Sequence, residues 1–131
     1  MFIDASAWVA VVLREPECDA FMDKLAEAEE VLTSAVAGWE AVRAVMRATS
    51  KGLDDASSQL RALQQSVGAR VVPIGDHEQA VALNAHARFG KGVHPARLNM
   101  GDCFAYACAK TNGVPLLYKG DDFALTDIEP A

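Results

Sequence analysis

Cysteine and histidine are scarce in this 131-residue chain, at three each, with no Cys-x-x-Cys and no His-x-x-x-His spacing. So few residues, so spaced, build neither a disulfide framework nor a zinc site, and Cys18, Cys103 and Cys108, all within helical patterns, read as reduced core thiols. Long apolar runs are missing too: the stretch from Ala5 to Leu13 is too short to cross roughly 30 Å of hydrocarbon. The opening Met1-Phe2-Ile3-Asp4 has no basic segment of the secretory kind, so no membrane span is expected and the chain is placed in the cytoplasm. Internal repeats and low-complexity tracts are lacking as well. What is present, 51% hydrophobic and 23% charged residues, suits one compact domain over residues 1–131 with a real core.

Positive charge is in deficit, with a net charge of −6, which by itself speaks against a nucleic-acid partner. The distribution speaks differently. Residues 1–30 hold eight acids and two bases, so the whole excess lies there and the rest of the chain is balanced at ten and ten. Arg43, Arg47 and Lys51 recur along one helical face, and Arg88, Lys91, His94 and Arg97 flank a loop, which leaves basic surface for phosphates. A solvated helix face and a polar loop explain the same residues without a partner.

Hydrophobic periodicity predicts strands at Met1–Asp4, Val31–Thr33, Ala69–Ile74 and Val114–Tyr118, with a weak further one near Thr126–Ile128. Helices are predicted at Ser6–Leu13, Glu17–Glu29, Val36–Ser50, Leu53–Val67, Asp76–Phe89 and Asn99–Thr111. The third, apolar almost all round, reads as mostly buried, and Asp76 reads as an N-cap. Strands alternating with helices imply a mainly parallel sheet covered on both faces, a three-layer α/β/α fold. In such sheets ligands sit at the carboxyl ends of the strands.

Four acidic positions stand against segments that ought to be buried: Asp4, Glu40, Asp102 and the pair Asp121–Asp122. Ionised carboxylates removed from water cost several kcal/mol unless paired or bound to a cation. Each has an ordinary explanation alone. Asp4 could cap a helix, Glu40 could pair with Arg43, Asp102 could complement a helix dipole, and Gly120-Asp121-Asp122 could be a turn. Together, two at strand exits and two on helices with apolar faces, they point to a shared site for a hard cation such as Mg²⁺ or Mn²⁺.

These residues resemble the PIN-domain ribonucleases, and among them the VapC-type toxins of prokaryotic toxin–antitoxin pairs. Phe2-Ile3-Asp4-Ala5-Ser6-Ala7 is similar to the family's first motif, and Trp39-Glu40 stands where the family places its Glu. His94 to Ala107, with Asn99-Met100-Gly101-Asp102 at its centre, resembles the segment around the third acid. Leu116 to Phe123 resembles the fourth, with Asp121 favoured over Asp122 as the family acid. The resemblance implies a PIN-like fold across the chain and hydrolysis of RNA to a 5′-phosphate and a 3′-hydroxyl. It further implies Asp4 and Asp102 as metal ligands, with Glu40 and Asp121 or Asp122 completing an acidic bowl. Ser6 and Asn99 would hydrogen-bond the ligands or water, and Arg43, Arg47, Lys91 and Arg97 are candidates for RNA backbone contacts. A tRNA or ribosomal RNA loop as substrate, a cognate antitoxin and a homodimer follow from the same resemblance. An aspartyl phosphatase is disfavoured, because the second Asp of that class is replaced here by Ser6. A non-catalytic RNA- or antitoxin-binding module acting by occupancy is the alternative from a different class.

Overall fold

The chain runs β1 (Phe2–Ile3), α1 (Ala5–Val12), α2 (Cys18–Glu27), β2 (Leu32–Ser34), α3 (Ala35–Ala48), α4 (Leu53–Ser66), β3 (Arg70–Val72), α5 (Asp76–Phe89), α6 (Met100–Asn112) and β4 (Leu116–Leu117). In the computed structural model, which describes residues 1–131, the four strands form one parallel sheet in the order β3-β2-β1-β4. Phe2 pairs with both Leu32 and Leu116, so β1, which directly follows Met1, is a central strand.

Successive strand residues face opposite sides, and that alternation divides the interior in two. Phe2, Leu32 and Leu116 join a core with Ala85, Phe89, Cys103 and Tyr106 of α5 and α6, whereas Ile3 and Leu117 join Trp8, Phe21, Leu25 and Leu60 of α1, α2 and α4. Helix α3 gives Ala37 to the first cluster and Ala41 to the second. The layers are therefore α/β/α, as the alternation of strands and helices predicts.

Caps fix where the functional segments begin. Asp4 Oδ2 accepts from the Ser6 N–H at 2.9 Å to start α1, Ser34 Oγ accepts from the Ala37 N–H at 3.1 Å to start α3, and Asn99 Oδ1 accepts from the Asp102 N–H at 3.1 Å to start α6. Each satisfies an orphan amide of a first turn. Gly113, at φ 65°, closes α6 in the left-handed conformation that glycine adopts freely.

Three expectations are corrected. Residues 126–128 form no strand: a 3₁₀ turn spans Phe123–Leu125, and the chain meets the sheet later, where Pro130 bridges Leu116. Asp76 is the first residue of α5 and its cap is Gly75, whose N–H donates to Glu78 Oε2 at 2.9 Å. Helix α3 is not mostly buried, since only Ala37, Ala41 and Val45 are fully covered and Trp39 is 65% exposed. An apolar sequence there marks a helix with a bare outer face.

One buried polar contact ties α1 to the sheet. Trp8 is wholly buried, and its Nε1–H donates to Thr33 Oγ1 at 3.0 Å, while that hydroxyl lies 3.4 Å from the Ile3 carbonyl. Thr33→Val keeps the volume but orphans the indole N–H, which costs about 1–3 kcal/mol. Urea unfolding should show that loss, and an unchanged midpoint would mean the indole is satisfied in another way.

Candidate active site

Leaving β1, the chain turns at once into α1, so Asp4 sits at the strand's carboxyl end as the helix cap. Its backbone N–H donates to the Leu117 carbonyl of β4 at 3.0 Å, which locks it between two adjacent strands. Ser34 passes β2 directly into α3 and carries Glu40 to the same end of the sheet. The first turn of α6 brings Asp102, and the segment after β4 brings Asp122. A cavity of about 500 Å³ opens there, and its wall includes Asp4, Glu40, Asp102 and Asp122 together with Arg47, Lys119, Ser6, Asn99 and Glu15. The groove between α5 and α6, around Leu83, Met100 and Phe104, contains no acid and has no comparable chemistry.

Asp4 is only 4% exposed, and both of its side-chain bonds fall on Oδ2, from the Ser6 N–H at 2.9 Å and the Ser6 hydroxyl at 2.5 Å. The same hydroxyl accepts from the Lys119 N–H at 3.0 Å, so Ser6 ties the acid to the chain leaving β4. Burial raises the Asp4 carboxyl above its ordinary range, the Ser6 bonds pull it back in part, and Asp122 pushes it further up. Asp102 Oδ2 accepts from the Asn99 N–H at 2.7 Å, completing a reciprocal cap. Burial pushes Asp102 up to about 6 against that bond, with Asp4 and Asp122 adding repulsion. Glu40 is pushed up to about 7, first by burial, then by Asp4 and Asp102, with Arg47 opposing.

The predicted site residues do not all meet. Both residues are exposed, but Asp122 lines the cavity and Asp121 does not; the Asp121 carbonyl accepts from the Ala124 N–H at 3.1 Å. Arg47 reaches the wall, whereas Arg43 is exposed elsewhere on α3. Lys91 and Arg97 edge a separate shallow cavity of the 90–98 loop. Lys119 was not among the sequence candidates. Its ammonium lies 2.9 Å from both Glu15 Oε2 and Glu17 Oε2, which hold its pKa up and fasten the α1–α2 linker to the cavity rim. Its position after an apolar strand and before Gly120 was the available signal. Cys103, pushed up to about 11 chiefly by burial, is an inert core thiol beside Asp102.

No three His, Cys, Asp or Glu side chains close into a metal cage. The wall still fits a hard cation. Its acids are oxygen donors, Asp4 and Asp102 each have an oxygen left out of the protein hydrogen bonds, and Mg²⁺ is held by one or two carboxylates while keeping several waters. No helix of the chain is long and apolar enough to cross a membrane.

Comparison with known proteins agrees with this architecture. The family model described as PIN domain matches residues 1–129. A VapC ribonuclease of Rhizobium meliloti (strain 1021) is 39% identical, the match covering 97% of this chain and 98% of the relative. Ribonuclease VapC of Mycolicibacterium smegmatis is 35% identical over 98% of this chain and 97% of its own. Ribonuclease VapC42 of Mycobacterium tuberculosis is likewise 35% identical, over 100% and 98%. The crystal structure of Mycobacterium tuberculosis VapC20, described as a toxin that cleaves the sarcin–ricin loop, superposes with a TM-score of 0.78 at 19% identity, covering 99% of this chain and 97% of that one, a likeness of fold. The chain belongs to the PIN-domain family and, within it, to the VapC ribonucleases.

Proposed function

We propose that this protein is a divalent-metal-dependent endoribonuclease, the toxin of a toxin–antitoxin pair, acting in the cytoplasm as one nuclease domain over residues 1–131. The observation that carries the proposal is the convergence of Asp4, Glu40, Asp102 and Asp122, from four separate segments, on one open cavity. The names of the relatives support the same class of reaction.

Asp4 and Asp102 would hold Mg²⁺ or Mn²⁺, direct or through water. Bound there, the ion would supply Lewis-acid stabilisation of the charge that develops on the phosphoryl oxygens. Ser6 fixes the Asp4 carboxyl and Asn99 fixes that of Asp102, so both face the cavity with one oxygen already committed. Glu40 and Asp122 orient the attacking water. Its oxygen bonds to phosphorus as the P–O3′ bond breaks, and the proton the water gives up is matched by one the departing O3′ takes up, leaving a 5′-phosphate and a 3′-hydroxyl. We assign the fourth acid to Asp122 over Asp121, because only Asp122 faces the cavity. Arg47 on the rim takes the RNA backbone phosphates, with Arg43, Lys91 and Arg97 further out as secondary contacts.

The substrate class is a structured RNA loop of tRNA or ribosomal RNA, in which splayed bases expose the scissile linkage. A cognate antitoxin that covers the acidic cavity with a basic side chain, and a homodimer, complete the proposal. Incubation of wild type and Asp102→Asn with total RNA, in Mg²⁺ or in EDTA, followed by mapping of new 5′ ends, tests it. Discrete cuts that require both the metal and Asp102 are expected. Tight RNA binding without cuts would establish the occupancy module instead.

A further inference from the structure

Gly101 is buried as the second residue of α6, and its φ is not in the left-handed region that would call for glycine. Glycine gives up more backbone freedom than alanine on entering a helix, so its presence here asks for another reason. The space around it supplies one. A Cβ at position 101 would lie 2.0 Å from Glu40 Oε2, 2.2 Å from Oε1 and 2.3 Å from Cδ, and these are its three nearest neighbours. Non-bonded carbon contacts settle near 3.5–4.0 Å. The Glu40 carboxyl therefore occupies the volume that any other residue at 101 would fill.

We propose that Gly101 is a positioning residue whose missing side chain forms the seat of the Glu40 carboxyl, setting it beside Asp102 across the α3–α6 contact. The functional part of this inference rests on the nuclease proposal above. The neighbour that must yield is the free end of a flexible side chain, so a methyl at 101 moves Glu40 and leaves the backbone in place. The chain thus keeps a less favourable helix residue in order to hold a carboxylate at one position.

Gly101→Ala is expected to remain folded and to cleave RNA about 100-fold more slowly, the scale associated with displacement of a reacting group by an ångström. Two comparisons separate seating from generic damage. Glu40→Asp, whose carboxyl is retracted by one methylene, should recover activity in the Gly101→Ala background while lowering it in the wild type. Independently of catalysis, Gly101→Ala should raise the melting temperature more in a Glu40→Ala background than with Glu40 present, because only Glu40 collides with the methyl. Wild-type cleavage by Gly101→Ala, or strictly additive effects in both pairings, would overturn the assignment. If the wild type itself cuts no RNA, the nuclease proposal fails, and the melting cycle still decides whether Gly101 seats Glu40.

Discussion

Asp4→Asn is expected to abolish RNA cleavage, by a factor on the order of 10³ or more, and at the same time to raise the melting temperature of the metal-free protein. The loss follows from the proposed role: removing a charged ligand forfeits several kcal/mol of transition-state stabilisation, and each 1.36 kcal/mol is tenfold in rate. The gain follows from burial. Asp4 is 4% exposed, no basic side chain hydrogen-bonds it, and the low-dielectric surroundings raise its pKa, all signs of a carboxylate held at a cost. Asparagine keeps the cap: its oxygen accepts from the Ser6 N–H and hydroxyl as Oδ2 does, and Asn is as good an N-cap as Asp. The charge goes and the fold stays. Differential scanning fluorimetry in EDTA, paired with a cleavage assay, checks both halves, and a lower melting temperature would show that the charge at position 4 is structural.

Metal-free protein should lose stability as pH rises from about 5 to about 8, and millimolar Mg²⁺ or Mn²⁺ should flatten that decline. Burial first, then repulsion among the acids, pushes Glu40 up to about 7 and Asp102 up to about 6 in the folded chain, against ordinary values of 4.5 and 3.8. Between each pair of values the folded state binds more protons than the unfolded one, so the slope of unfolding free energy with pH is negative there, and the loss is complete by about pH 8. Asp4, also raised, adds in the same direction. A cation at the cavity reverses the sign of the interaction by favouring the ionised forms, so the wild type should gain melting temperature with metal at about pH 8 while Asp4→Ala gains none. Asp127 works in the opposite sense. Tyr106 and Arg88 hold its carboxyl below the ordinary range, so its contribution is present above about pH 4 and is lost in acid. A flat pH profile in EDTA would mean the acids are further apart, or wetter, than their burial suggests.

Much of this was legible in the sequence because the signals are local. Alternation of short β-branched and leucine-rich runs with amphipathic helices specifies a parallel α/β/α sheet, and the motifs around Asp4, Glu40 and Asp102 mark the family. What stayed hidden depends on direction and distance. Asp121 and Asp122 are adjacent in one turn, and nothing in their neighbours says which side chain faces inward; the 3₁₀ turn at Phe123 decides it. Lys119 carries no local signal of its ion pairs because its partners, Glu15 and Glu17, lie about a hundred residues earlier. Trp39 and its apolar neighbours on α3 read as core because hydrophobicity reports what a face prefers, and says nothing of whether another element is there to cover it.

The pairing of β4 with β1 has a consequence for the order in which the protein is made. Asp4 leans on the Leu117 carbonyl, and the hydroxyl that fixes it receives the Lys119 amide, so the earliest acid of the chain is completed by contacts made more than a hundred residues later. Chains grow from the amino end, and a strand contact of such long sequence separation cannot form before its second strand has been made. A nascent chain that has passed Asp102 but not yet released β4 carries three of the four acids without the edge that seats the first. For the proposed ribonuclease, the cutting site stays unfinished until β4 and the residues just after it are in place.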